Sequence, residues 1–298
     1  SMQRIIVTGG SGLVGQHLKE VLPNAVYLSS KDCDLRDIQQ VQSLISNHKP
    51  HIVIHLAAKV GGIQDNIKYP AEYFEDNILI NTNIAKVCKD LNVERFIGVL
   101  STCIYPAKVN TYPMVEEDLF LGPPPQSNFS YGYAKRCLAV QIDAYNQQYG
   151  TKYNYLIPCN LYGDYDNLHD INKMHFITAL LNKIRTVEDN TLHLLGTGKP
   201  LRQFMYAKDL ADIIKIVIDK DITESFNVAP DFNFSIDEMA TTALKVLGLD
   251  YNIKYEQPHL DGQYRKDVSS KKLLSLIPDF KFTSLEKGLK QVYDKISK

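Results

Sequence analysis

Tyr131 and Lys135 stand four residues apart in Tyr131-Gly132-Tyr133-Ala134-Lys135, at the start of a helix-like run, so both side chains share one helical face. An ammonium close to a phenol stabilises phenolate, which lets the tyrosine take or give a proton near neutral pH. The spacing alone is common on surface helices; its weight comes from its company. Ser101 closes an apolar run and opens Ser101-Thr102-Cys103-Ile104-Tyr105-Pro106. Near the amino end, Arg4-Ile5-Ile6-Val7-Thr8 leads into Gly9-Gly10-Ser11-Gly12-Leu13-Val14-Gly15 and then a helix-like stretch. Glycines at 9, 12 and 15 form GxxGxxG between strand and helix. They allow a tight turn and close approach of backbone N–H groups to a pyrophosphate, and the helix N-terminus adds partial positive charge. Together these residues are equipped for dinucleotide binding and proton transfer.

In dinucleotide-binding sheets that prefer NAD, an acid at the tip of the second strand takes the ribose hydroxyls. Here Ala25-Val26-Tyr27-Leu28 ends in Ser29-Ser30-Lys31, and a hydroxyl pair followed by a lysine suits a 2′-phosphate. NADP(H) is therefore the expected cofactor, with Asp32 slightly beyond and free to rotate in. Asp34-Leu35 is placed for the adenine edge. Leu56-Ala57-Ala58 ends the third strand with small residues that let a cofactor lie against the backbone.

Such groups need a frame. Arg4–Thr8, Ala25–Ser29, Ile52–Leu56, Arg95–Ser101 and Tyr153–Pro158 read as short buried strands; Leu13–Leu22, Ile38–Asn47, Tyr73–Leu91 and Tyr131–Tyr149 read as amphipathic helices. This alternation, with near-continuous apolar strands, predicts an α/β chain built on a Rossmann-type doubly wound parallel sheet. After about Asn160 the rhythm changes. A polar loop at Tyr162–Asn172 precedes helices at Met174–Arg185, Ala207–Asp219, Ile236–Leu247 and Ser284–Ile296, with a turn at Gly196–Pro200. We expect a nucleotide-binding domain of residues 1–164 and 204–228, and a smaller discontinuous substrate domain of residues 165–203 and 229–298.

The 298 residues carry 33 Lys and Arg against 34 Asp and Glu, a net charge of −1, which leaves no global basic field for a nucleic acid. Hydrophobic residues at 44% and charged residues at 22% exclude a disordered chain. Five scattered cysteines without a CxxC pair argue against a disulfide framework or bound metal, and for a reducing, cytoplasmic setting. No apolar stretch approaches the roughly 18 residues of a membrane span. Ser1-Met2 enters a strand-like run at once, which predicts no signal peptide and reads Ser1 as an expression scar.

The glycine loop, the strand-end serine and the Tyr–Lys pair together resemble the extended short-chain dehydrogenase/reductase family, over essentially the whole chain. Ser101-Thr102-Cys103-Ile104-Tyr105-Pro106, Val60-Gly61-Gly62, and Asp166-Asn167 followed by His175 are similar to its NADPH-dependent GDP-4-keto-6-deoxy-D-mannose 3,5-epimerase/4-reductases. The resemblance implies a Ser–Tyr–Lys triad at Ser101, Tyr131 and Lys135, and an epimerisation pair at Cys103 and His175. It implies nucleotide-sugar contacts at Asn160, Lys183, Arg202 and Lys266, and a homodimer through the helices at Tyr73–Leu91 and Tyr131–Tyr149. In that chemistry a C4 ketone acidifies the protons at C3 and C5. A thiolate removes them on one face and an imidazole returns them from the other. Tyr131 protonates O4 as hydride arrives, Ser101 supplies a second donor, and Lys135 lowers the tyrosine pKa. Asp164, where many relatives carry Pro, and Lys208-Asp209, which varies a usual acidic pair, depart from the pattern.

Blander readings compete. Cys33, Cys88, Cys137 and Cys159 read as small buried hydrophobes. His17, His48, His51, His55, His193 and His259 read as structural, with His169 a second candidate beside His175. Lys183, Arg202 and Lys266 also read as solvated charges. Other functions on this frame are a 4-epimerase, a dehydratase, a 4-ketoreductase without epimerisation, or a silent NADP sensor. Thr102-Cys103, where dehydratases carry acids, argues against the second. The Ser29-Ser30-Lys31 tip argues against an NAD-retaining 4-epimerase, and the intact triad against a sensor.

Overall fold

The computed structural model describes residues 3–170 and 173–298. Ser1-Met2 and the last two residues of the expected Tyr162–Asn172 loop lie outside the described residues.

The first half alternates as its pattern dictates: β1 (Ile5–Thr8), α1 (Leu13–Val21), β2 (Val26–Leu28), α2 (Ile38–His48), β3 (Ile52–His55), α3 (Ile63–Lys68), α4 (Pro70–Asp90), β4 (Arg95–Val99), α5 (Phe129–Tyr149) and β5 (Asn154–Pro158). Asp37 starts α2 by accepting from Gln39 N, which satisfies an otherwise free amide. Pro70 opens α4, where its missing N–H costs nothing, so the helix begins three residues before the expected Tyr73.

The second half runs β6 (Asn160–Tyr162), α6 (Phe176–Arg185), β7 (Thr191–Leu195), β8 (Leu201–Arg202), β9 (Phe204–Tyr206), α7 (Ala207–Asp219), β10 (Phe226–Val228), β11 (Phe234–Ser235), α8 (Ile236–Val246), β12 (Asn252–Glu256), α9 (Lys271–Leu276) and α10 (Leu285–Ile296).

The central sheet has the order β10-β5-β4-β3-β1-β2, and every pairing in it is parallel. Strands β3 and β4 are buried along their whole length, which is why their sequences are nearly continuous apolar runs. The doubly wound α/β class expected from the sequence is the one found. Chain direction across the sheet reverses between β1 and β3, and the crevice at their carboxyl ends is where such sheets bind ligands.

Two apolar cores form. One surrounds the sheet and joins Ile6, Val53, Ile97, Leu156 and Val228. The other joins Leu181, Leu192, Phe204, Met239 and Leu289, from α6, β7, β9, α8 and α10. Small strand pairs, β6–β9 and β7–β12 parallel and β8–β11 antiparallel, lie outside the main sheet. Among the described residues no helix is long and apolar enough to cross a membrane.

Candidate active site

The loop after β1 turns at Gly9, whose φ of +64° suits glycine and where a Cβ would stand 2.7 Å from Ala57 N. A Cβ on Gly15 would stand 2.5 Å from Gly10 O, so α1 packs directly on the loop. Gly12 differs. Among the described residues its only near neighbour is Gly9 O at 3.4 Å, and no side chain caps the start of α1 there. The first amides of α1 thus face outward for an anion, a cradle that fits a dinucleotide pyrophosphate. Thr8 Oγ1 ties the loop to β3 by accepting from Leu56 N and Ala57 N at 3.1 and 3.2 Å. His55, pushed down to about 3 by burial, is a neutral structural ring between Thr8 and Asn81.

A cleft of about 780 Å³ opens along this crevice, lined by Gly9, Ser11, Gly12, Leu13, Ser29, Ser30, Asp34, Leu35, Leu56, Ala57 and Ala58 of the expected cofactor set. Val14, Gly15, Lys31, Tyr131 and Lys135 are outside that lining. At the β2 tip, Asp32 is folded back and accepts from Ser29 N at 2.8 Å. The sequence reading missed Arg36, which also lines the cleft and holds Asp34 through Nε and Nη2 at 3.0 and 3.1 Å. That clamp keeps the Asp34 carboxyl below the usual carboxylate range. A cation two residues past Asp34 was the available signal.

The reactive cluster forms where β4 meets α5. Ser101 caps the turn at Thr102–Ile104, accepting from Cys103 N at 3.3 Å. Lys135 is buried, donates to Val99 O at 3.3 Å, and places its Nζ 5.7 Å from the Tyr131 ring centroid. Burial lowers Lys135 to about 8 against the opposing pull of Cys103. Burial also pushes the Tyr131 phenol up, and Cys103 adds to that. In the cofactor-free protein desolvation thus governs the phenol and raises it.

Burial likewise raises the Cys103 thiol, while the Ser101 hydroxyl, the Lys266 and Lys135 ammoniums and the Asn128 amide pull it back. Lys266 is itself lowered by burial, then by Arg202. Arg202 is held by Leu201 O and Gln263 O, each at 2.7 Å. The structure therefore gathers Ser101, Cys103, Tyr131, Lys135, Arg202 and Lys266. Asn128, unremarked in the sequence, belongs with them; its Oδ1 is buried without a partner among the described residues, three residues before Tyr131.

His175 stands on the cofactor cleft beside Asp166 and Asn167. Among the described residues no hydrogen bond or ion pair joins it to Cys103. Lys183 is exposed and donates to His193 O at 3.1 Å, and Asn160 is exposed at the start of β6. Neither is drawn into the cluster. Cys33, Cys88 and Cys159 are buried as expected, but Cys137 is exposed. It falls off the stripe of Ala134, Leu138 and Ile142 that α5 turns to the core.

Residues 5–229 match the model of the NAD dependent epimerase/dehydratase family. A GDP-L-fucose synthase of Dictyostelium discoideum is 39% identical, the match covering 98% of this chain and 94% of the relative. A probable GDP-L-fucose synthase of Drosophila melanogaster is 34% identical, over 97% and 95%. Among solved structures, a GDP-L-fucose synthetase from Naegleria fowleri bound to NADP superposes with a TM-score of 0.90 at 33% identity, covering 99% of this chain and 92% of the other. The glycine cradle, the parallel sheet and the Ser101–Tyr131–Lys135 cluster agree with these matches, and the chain belongs to the NAD dependent epimerase/dehydratase family.

Proposed function

We propose that this chain is an NADPH-dependent epimerase/reductase that inverts C3 and C5 of GDP-4-keto-6-deoxy-D-mannose and reduces C4, yielding GDP-L-fucose. One observation carries the reading. A thiol, Cys103, sits with Ser101, Tyr131 and Lys135 and is flanked by two cations. A plain ketoreductase has no use for such a base, whereas breaking C–H bonds next to a ketone requires one.

The dinucleotide would be held by the Gly9–Gly15 loop, by Ser29, Ser30 and Lys31 at the 2′-phosphate, and by Asp34, Leu35 and Arg36 around the adenosine. When bound it supplies the hydride. The protein's own groups do the rest. Tyr131 donates to O4, with Ser101 Oγ as the second donor that steadies the oxygen. Cys103 Sγ takes the proton from C3 or C5, and the electron pair moves into the enolate. His175 returns a proton on the opposite face. Inversion must precede reduction, because C3 and C5 are acidic only while C4 is a ketone. Lys135 keeps positive charge beside the phenol, and Arg202 and Lys266 bind the sugar diphosphate.

We place the cofactor domain at residues 1–164 and 204–228 and the substrate domain at 165–203 and 229–298; two separate cores support a two-part chain, although Phe204 and Tyr206 pack in the second core and Leu273 and Ile277 in the first. Exposed Phe74 and Leu79 on α4, with Tyr133 and Val140 on α5, support a homodimer through those helices. Five free cysteines support a reducing cytoplasm. The test of the reaction is incubation with GDP-4-keto-6-deoxy-D-mannose and NADPH, with the product identified by NMR. GDP-L-fucose is the expected product; an alcohol unaltered at C3 and C5 would reduce the assignment to a 4-ketoreductase.

A further inference from the structure

Asp166 lies in the loop after β6 with its side chain only 3% exposed; Oδ1 accepts the N–H of the neighbouring Asn167 at 2.9 Å, and both oxygens also reach His175. Oδ2 accepts the backbone N–H of His175 at 2.9 Å, and Oδ1 meets Nδ1 of the same ring at 3.1 Å. The loop is fastened to α1, the helix that begins at the phosphate cradle. Asp164 N donates to His17 Nε2 at 3.1 Å, and Tyr165 OH donates to Glu20 at 3.0 Å. Asp164, the departure from the family's usual proline, also accepts from Tyr206 OH at 2.7 Å. The imidazole is therefore set relative to the cofactor cleft, half exposed, while its anchor is buried.

Burial opposes ionisation of Asp166, but the hydrogen bonds and charge of His175, with the Thr178 hydroxyl adding to them, outweigh it and hold the carboxyl below its ordinary range. An ionised carboxylate has no proton to offer, so the hydrogen in this pair sits on Nδ1. We propose that Asp166 is a positioning residue that fixes His175 as the Nδ1–H tautomer, making Nε2 the atom that exchanges protons with the substrate. The inference rests on His175 as the epimerisation acid. In the step, the Nε2–H bond of the imidazolium breaks and a C–H bond forms with the enolate's electron pair. The ring is left neutral, still carrying Nδ1–H toward Asp166, and Nε2 is recharged from water.

The experiment is a two-bond ¹H–¹⁵N correlation on ¹⁵N-histidine-labelled protein at a pH where imidazole is neutral, with His175 assigned through His175→Gln. The expected signals are a pyrrole-like Nδ1 and a pyridine-like Nε2 in wild type, lost or mixed in Asp166→Asn. Asp166→Asn should also lower inversion at C3 and C5 by roughly 10²-fold, the range in which losing one oriented acid/base group falls. KM should stay unchanged, and so should deuterium uptake with retention on the Cys103 face. An Nε2–H tautomer in wild type overturns the inference, as does wild-type inversion in a folded, NADPH-binding Asp166→Asn. Wild-type inversion by His175→Ala instead overturns the underlying reading of His175 and leaves the tautomer result standing.

Discussion

Cys103 and Lys135 face opposite demands in one buried space, and each demand has a measurable sign. Burial raises the thiol, and only thiolate is a base, so deuterium exchange at C3 and C5 should climb with pH through that raised thiol pKa. Lys266→Met removes a cation that favours thiolate. Under saturating substrate its rising limb should move to higher pH, and a limb that stays in place contradicts the assignment. For Lys135 the burial that lowers it to about 8 from 10.5 works against folding. A lysine lowered in the folded state costs stability fully below about 8, and the cost fades as pH climbs toward 10.5. Lys135→Met should therefore stabilise the cofactor-free protein at neutral pH by about 1–3 kcal/mol, raising Tm by a few degrees, while abolishing reduction. Thermal unfolding at neutral pH decides it; a lower Tm refutes the argument.

At the scale of elements, the glycines of the phosphate loop divide by what their missing Cβ leaves. Gly12 leaves the anion's approach and Gly15 leaves a contact with Gly10 O. Gly12→Ala should raise the Kd for NADPH with little change in unfolding free energy, whereas Gly15→Ala should cost about 1–3 kcal/mol through overpacking. Titration calorimetry and urea unfolding on both variants separate the two roles. The elements legible in the sequence were those with a long enough period. β1 to β5 and their helices showed near-continuous apolar strands between amphipathic runs. Strands β8 and β11 are two residues each, and β7 alternates buried and exposed over only five, too short for a period to register. In the site, Ser101, Tyr131 and Lys135 could be read from spacing because one strand end and one helix face place them. Arg36 clasping Asp34, Asn128 beside Cys103 and Asp166 holding His175 depend on how loops close, which spacing does not encode. Cys137 departs from cysteine's usual burial because its angle on α5 turns it away from the stripe of Ala134, Leu138 and Ile142.

The whole molecule presents an apolar face on α4 and α5 and a reactive cluster at the end of β4. Val140→Asp puts a charge into the exposed apolar surface of α5, and sedimentation equilibrium should show a dimer turning monomeric while NADPH still binds. A monomeric wild type removes that interface. The central claim is that one cavity runs both inversion and reduction, with Cys103 serving only the first. Its most direct test gives the enzyme GDP-4-keto-6-deoxy-D-mannose in D₂O with NADP⁺ in place of NADPH. Wild type should wash deuterium into C3 and C5 without reduction. Cys103→Ser should lose most of that exchange, since an alkanol is a far weaker base than a thiolate, yet still transfer hydride when NADPH is restored. Tyr131→Phe should lose reduction by roughly 10²–10⁴-fold for want of its proton donor. Deuterium exchange at the wild-type rate in Cys103→Ser would contradict the account, returning Cys103 to a packing residue and the enzyme to a reductase alone.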